Sequence, residues 1–188
     1  YETDDSEVVV KQGYKRQYSY IESNQIGDTT KQAIRIRQLY EDYDADYIVL
    51  DCRNGGTQVC YSLGKTLYDE ERGKEYPPLK CMNNDTYADV VKNPNAPAVI
   101  YAINATQKLN SDIAYSFRRS LMEHRTELLV NLNTAIEEIL SENDNYKNET
   151  DLNTQFEFER PFLETQAMIS ECAELLYEKS PQTGIVKV

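Results

Sequence analysis

Asp51 stands where an acid can do chemistry. It ends the continuous apolar run Tyr47-Ile48-Val49-Leu50 and is followed by Cys52-Arg53-Asn54 and the pair Gly55-Gly56. A run of that kind reads as a strand buried on both faces. Open α/β sheets bind ligands at the carboxyl ends of their strands. The two glycines would let backbone or substrate approach closely. A carboxylate there can serve a site, or it can simply cap and solvate the strand end. Nucleophilic catalysis has little support. His124 is the single imidazole and falls late in a helical stretch, where exposure or the helix dipole explains it. A Cys52 nucleophile would need that same His as its base, so Cys52 is expected to pack in the sheet. The chain has no GxGxxG and no GxxxxGK[ST], hence no recognisable nucleotide-phosphate loop.

The remaining candidates are charged. Asp42, Asp44 and Asp46 flank the turn at the amino end of the strand, away from Asp51, and read as a solvated connection. Asp69-Glu70-Glu71 reads as a surface charge run in a loop. Lys108 with Arg118 and Arg119 is the better candidate for phosphate contact, because one stretch presents several cations; a solvated helix face is the alternative. The cysteines Cys52, Cys60, Cys81 and Cys172 form no CxxC pair. With one His, a zinc cluster is not expected, and a reduced intracellular setting fits better than a disulfide scaffold.

The elements that must position these residues follow from periodicity. A short strand at Val8-Val9-Val10, a turn at Gln12-Gly13 and a β-favouring run from Tyr14 to Ser23 suggest an antiparallel hairpin. Gly27-Asp28-Thr29 offers a break and an N-cap, and Ala33, Ile34, Ile36, Leu39 and Tyr40 then recur at helical spacing to about Asp42. A helix-like stretch from Thr57 to Leu67 follows the glycines. A second buried strand is expected at Ala98–Ile103, after a long polar loop from Tyr68 to Pro97 of the functional or mobile kind. Helix and strand alternating in this way imply parallel strands with right-handed crossovers. Helices are expected over Ser111–His124 and Leu132–Ser141, with a strand at Leu128-Leu129-Val130. Glu142 to Asn153 reads as a hinge, Pro161–Tyr177 as an amphipathic helix stopped by Ser180-Pro181, and the tail from Thr183 as the start of another strand.

The 188 residues suffice for one domain with a sizeable core. Asp and Glu number 32 against 20 Lys and Arg, a net charge of −12, which argues against a wide basic surface for non-specific nucleic-acid binding. A local basic groove or an acidic metal site stays open. No apolar run approaches the roughly 20 residues that span a bilayer, so no membrane partner is expected. The chain begins at Tyr1 without an initiator Met, and is expected to be a piece of something longer.

A series of motifs in order resembles the nuclease domain of phage terminase large subunits. They are Tyr20-Ile21-Glu22-Ser23 with the helix Gln32–Tyr40 and the run Ala45–Asp51; Tyr68-Asp69-Glu70-Glu71-Arg72-Gly73 with Glu75-Tyr76-Pro77; Pro97-Ala98-Val99-Ile100-Tyr101; Asn104–Ala114; and Gln166-Ala167-Met168-Ile169-Ser170-Glu171-Cys172. The resemblance covers most of the chain from about Gly13. It implies an RNase H-like α/β fold: a mixed sheet of an antiparallel hairpin plus parallel strands, flanked by helices. Residues 1–188 would form a single nuclease domain without the ATPase domain, with 143–188 as a C-terminal helical segment.

The function implied is a metal-dependent endonuclease that cuts concatemeric viral DNA during genome packaging, in the cytoplasm of a bacterial host. Double-stranded DNA, the terminase small subunit and the portal protein would be its partners. Two Mg²⁺ or Mn²⁺ ions about 3.5–4 Å apart activate water and stabilise the leaving oxygen in such sites, held by oxygen ligands rather than His or Cys. Asp51 matches the family's acid at the end of the second central strand, as catalytic metal ligand. Glu22 would be an auxiliary acid, and Lys108, Arg118 and Arg119 would line the DNA path. The other family acids would fall before Tyr1 and after Val188, so weak or no cleavage is expected of these residues alone. The competing reading is a non-catalytic RNase H-like module that docks to DNA, portal or partner subunit.

Overall fold

The computed structural model describes residues 15–88, 94–174, 178–179 and 186–187. In chain order its elements are β1 (Arg16–Gln17), α1 (Thr29–Asp42), β2 (Ile48–Asp51), α2 (Gly56–Leu63), β3 (Leu67–Asp69), β4 (Lys74–Tyr76), β5 (Lys80–Cys81), α3 (Asp85–Ala88) and β6 (Ala98–Ile103). There follow α4 (Gln107–Met122), β7 (Thr126–Glu127), α5 (Leu132–Thr134), α6 (Asp144–Asn148), α7 (Leu152–Glu174), β8 (Glu178–Lys179) and β9 (Val186–Lys187). The fold is mixed α/β, with both parallel and antiparallel pairing. The chain divides into two compact units: Gln25–Thr106, and the described residues of Tyr1–Asn24 with Gln107–Val188.

The Gln25–Thr106 unit is built on a three-stranded sheet in the order β2-β6-β5. β2 and β6 run parallel, Ile48 opposite Ile100 and Asp51 opposite Ile103, as the alternation of helix and strand predicts. α1 starts at the expected cap: the Asp28 carboxylate accepts from the Thr30 and Lys31 N–H groups at 2.7 and 3.3 Å. One core joins Ala33 of α1, Val59, Cys60 and Leu63 of α2, and Ile100 and Ala102 of β6.

Burial of β2 on both faces is not what forms. Ile48 and Leu50 pack on the core, whereas Val49 is 58% exposed beside its cross-strand partner Tyr101, 45% exposed. The reason is that α1 and α2 share one cluster with Ile100 and Ala102, so both cover the same sheet face. An apolar run alone does not tell one-sided from two-sided burial.

The stretch from Tyr68 to Pro97 is not a long loop either. It continues the antiparallel hairpin β3–β4, adds the third strand β5 beside β6, and turns through α3. Leu67, Tyr76, Leu79 and Cys81 anchor it in the core, and Gly73 closes the hairpin turn at φ +58°.

In the other unit the strand expected over 14–23 shortens to β1, which pairs in parallel with β7. The expected strand at Val8–Val10 lies outside the described residues, as do the Ser180-Pro181 stop and the tail from Thr183 to Ile185. No strand forms at 128–130; β7 covers Thr126–Glu127 just before it, and Leu129 packs on the small cluster of Ala135, Leu140 and Phe162. α5 opens into a wide π turn at Ala135–Ile139. α7 begins nine residues before the expected Pro161, which lies inside the helix. Asp151 caps that start, its carboxylate accepting from the Thr154 N–H at 2.9 Å. Among the described residues no helix is long and apolar enough to cross a membrane.

Candidate active site

The carboxyl end of β2 is held by backbone rather than by counter-ions. The Cys52 N–H donates to the Ile103 carbonyl at 2.7 Å, carrying the ladder one step past Asp51. The chain then turns through Arg53 and Asn54, the latter at φ +54°, a conformation Asn tolerates better than most residues. Of the two glycines, Gly56 is compelled: a Cβ there would lie 1.8 Å from the Asp51 carbonyl oxygen. Gly55 meets nothing within 4 Å. The Thr57 hydroxyl donates to the Cys52 carbonyl and so fastens the first turn of α2 to the strand.

The Asp51 side chain is fixed by one oxygen. Its Oδ1 accepts from the Arg53 N–H at 3.0 Å and from the Ala105 N–H at 3.3 Å. Oδ2 takes no hydrogen bond among the described residues, and the residue is exposed. The Arg53 guanidinium, although two residues away, donates to the Ala105 carbonyl instead of the carboxylate. The result is an acid with a defined orientation and an open oxygen, a combination suited to gripping a cation or accepting a proton.

Beneath it the thiols are spent on packing. Cys52, Cys60 and Cys81 are all buried, with the Cys60 and Cys81 sulfurs 3.5 Å apart. Burial pushes all three thiols up, which removes the thiolate needed for nucleophilic work. The expectation that Cys52 packs in the sheet is met.

The other candidates fall in the second unit. Glu22 accepts from the Tyr20 hydroxyl at 2.8 Å and from Asn24 at 3.3 Å. Lys108 pairs with Asp112 at 2.9 Å along α4, and Arg119 with Glu123, just past the end of α4, at 2.7 Å, each pair four residues apart. Arg118 borders a mostly apolar groove of about 1010 Å³ whose walls include Tyr18, Ile113, Phe117 and Met168. Asp51 belongs to the Gln25–Thr106 unit, and Glu22, Lys108, Arg118 and Arg119 to the other. His124 sits just past the end of α4 at φ +54°, exposed, with its N–H bonded to the Leu121 carbonyl. There it ends a helix.

A divalent hard cation wants several oxygen ligands. Asp51 fits as one of them through Oδ2. Among the described residues no group of three or more His, Cys, Asp or Glu side chains gathers to hold a metal. Arg53 and Ala105 are the site residues that sequence reasoning missed. Arg53 carried a signal in its place two residues after the acid, the spacing of an Asx turn; the Ala105 contact, across a crossover, carried none. Comparison of the chain with protein-family models, curated proteins and solved structures finds no match.

Proposed function

We propose that the chain is an RNase H-like nuclease domain of the terminase large-subunit type, hydrolysing phosphodiester bonds of double-stranded DNA with Mg²⁺ or Mn²⁺ during packaging in a bacterial host. The observation that supports it is Asp51: an oriented carboxylate with an open oxygen, at the carboxyl end of a strand in a parallel pair. Bound divalent ions would supply Lewis acidity toward the phosphodiester and its attacking water. Asp51 is the described residue that would hold one. On this reading the small subunit and portal are partners in the assembly, and DNA affinity need not come from this acidic chain alone.

The test is plasmid nicking in Mn²⁺ by the native polypeptide that carries these residues, with Asp51→Asn beside the parent. Asn keeps an Oδ1 acceptor for both backbone N–H groups and removes the negative charge. The expected result is nicking by the parent and background only in the variant, with an unchanged melting temperature. A folded Asp51→Asn variant that nicks at the parent's rate removes Asp51 from the reaction. A parent that binds plasmid yet never nicks it supports the non-catalytic module instead.

A further inference from the structure

We propose that Arg53 is a positioning residue for Asp51, an inference that rests on reading Asp51 as the reactive acid. Three bonds close a ring at the strand end: Arg53 N–H to Asp51 Oδ1, Ala105 N–H to the same oxygen, and the Arg53 guanidinium to the Ala105 carbonyl. Arg53 therefore holds both faces of the arrangement. Its backbone grips the carboxylate directly, and its side chain holds the carbonyl of the residue whose N–H supplies the second grip. Ala105 is buried and follows β6 by two residues, so the guanidinium links the loops after the two parallel strands.

The choice of acceptor is what makes this a positioning device. An arginine beside a carboxylate ordinarily forms a forked ion pair with it, which would occupy both oxygens. Here the guanidinium takes a carbonyl, which needs no counter-charge. Asp51 keeps Oδ2 for another partner, while Oδ1 is tied by two N–H donors that fix the side chain in one rotamer. Residues that orient a ligating carboxylate in this way bear on the site without touching substrate.

The test is nuclear magnetic resonance on the protein with neither metal nor DNA, comparing the parent with Arg53→Ala and Arg53→Lys. In Arg53→Ala the Ala105 amide should exchange with solvent about tenfold faster or more. The Asp51 χ1 couplings should move from those of one staggered rotamer to averaged values. Lys keeps a donor on a long stem and should restore both readouts in large part. The Met82 amide, bonded to the Ile100 carbonyl at 2.8 Å within the sheet, should keep its parent rate throughout. An Ala105 amide that exchanges no faster in Arg53→Ala overturns the proposal. So does equal loss at Met82, which would make Arg53 a general support of the fold. Because no cleavage is measured, these outcomes are separate from that of the nicking assay: an inert nuclease with an intact clamp discards the function and keeps the clamp.

Discussion

Asp51 and Asp69 close two strands of the same unit with the same local device and opposite outcomes. Each carboxylate accepts, through Oδ1, from the N–H two residues on: Arg53 for Asp51, Glu71 for Asp69, the second at 3.0 Å. The difference is in the other oxygen. Asp69 Oδ2 accepts from the Gln38 amide at 2.8 Å and the Tyr76 hydroxyl at 3.2 Å, and the Arg72 N–H adds a further bond to Oδ1. Asp69 is 2% exposed. Burial pushes its carboxyl up, but the bonds from Gln38, Arg72, Tyr76 and Glu71 together outweigh it and hold the group below the usual carboxylate range. A saturated acid is part of the architecture, and an acid with one lone oxygen is available for work.

The largest effect expected is at the turn that leaves Asp51 open. Gly56→Ala drives a Cβ into the Asp51 carbonyl, which backbone must yield to relieve, at a cost of about 3 kcal/mol. Urea denaturation would read it. A cost below about 1 kcal/mol would show that the turn is not what fixes the end of β2.

Next comes the comparison itself. Asp69→Ala strands buried donors on Gln38 and Tyr76 and should cost about 2–3 kcal/mol, whereas Asp51→Asn, exposed and with its Oδ1 acceptor kept, should cost under about 1 kcal/mol. Equal losses would erase the distinction between the two acids. The sign with pH follows from the depressed carboxyl of Asp69. Its stabilisation is fully present above the unfolded Asp value near 3.9 and is lost as pH falls through the lower folded value. Denaturation of Asp69→Ala should therefore lose part of the parent's acid sensitivity below about pH 4.

Arg37 is a buried charge without Asp69's full set of partners. It is 4% exposed, its Nε and Nη1 meet no partner among the described residues, and Glu41 stands 3.9 Å from Nη2. The guanidinium lies over the rings of Tyr76 and Tyr40 at 5.2 and 5.6 Å. Burial pulls the guanidinium's pKa below its ordinary value. Arg37→Met keeps the packing stem and removes two unpaired donors, so stability should rise by about 1 kcal/mol. A clear loss would mean that the ring contacts outweigh desolvation.

How much of this was legible depended on the range of the signal. Local signals held: the Asp28 cap, the strand at Ala98–Ile103, the packed Cys52. Asp69 is buried although Asp69-Glu70-Glu71 reads as a surface charge run. Yet Leu67 and Asp69 are two apart, and period-two alternation puts both on the inward face, with Tyr68 outward. The hairpin was hidden in the same way, its buried anchors spread thinly through polar sequence. Asp51's place at a strand end was readable from an apolar run that stops at an acid. Its orientation was not, since Ala105 reaches it across 54 positions of chain.

The smallest effect tests whether exposure rather than charge separates these acids. Arg72 gives its N–H to Asp69 and its guanidinium to Asp42, in a two-pronged pair with both distances 2.7 Å. That pair is partly exposed, so Asp42→Asn should cost about 0.5 kcal/mol, and the difference from parent should vanish in about 1 M NaCl, where the screening length falls to about 3 Å. The Asp69 bonds, being buried, should keep their contribution in the same salt. A cost at Asp42 above about 2 kcal/mol that salt leaves untouched would mean the outer pair holds the Arg72 backbone in place for Asp69. The turn would then be one coupled network, and the saturation of Asp69 would be borrowed from the surface rather than supplied by the core.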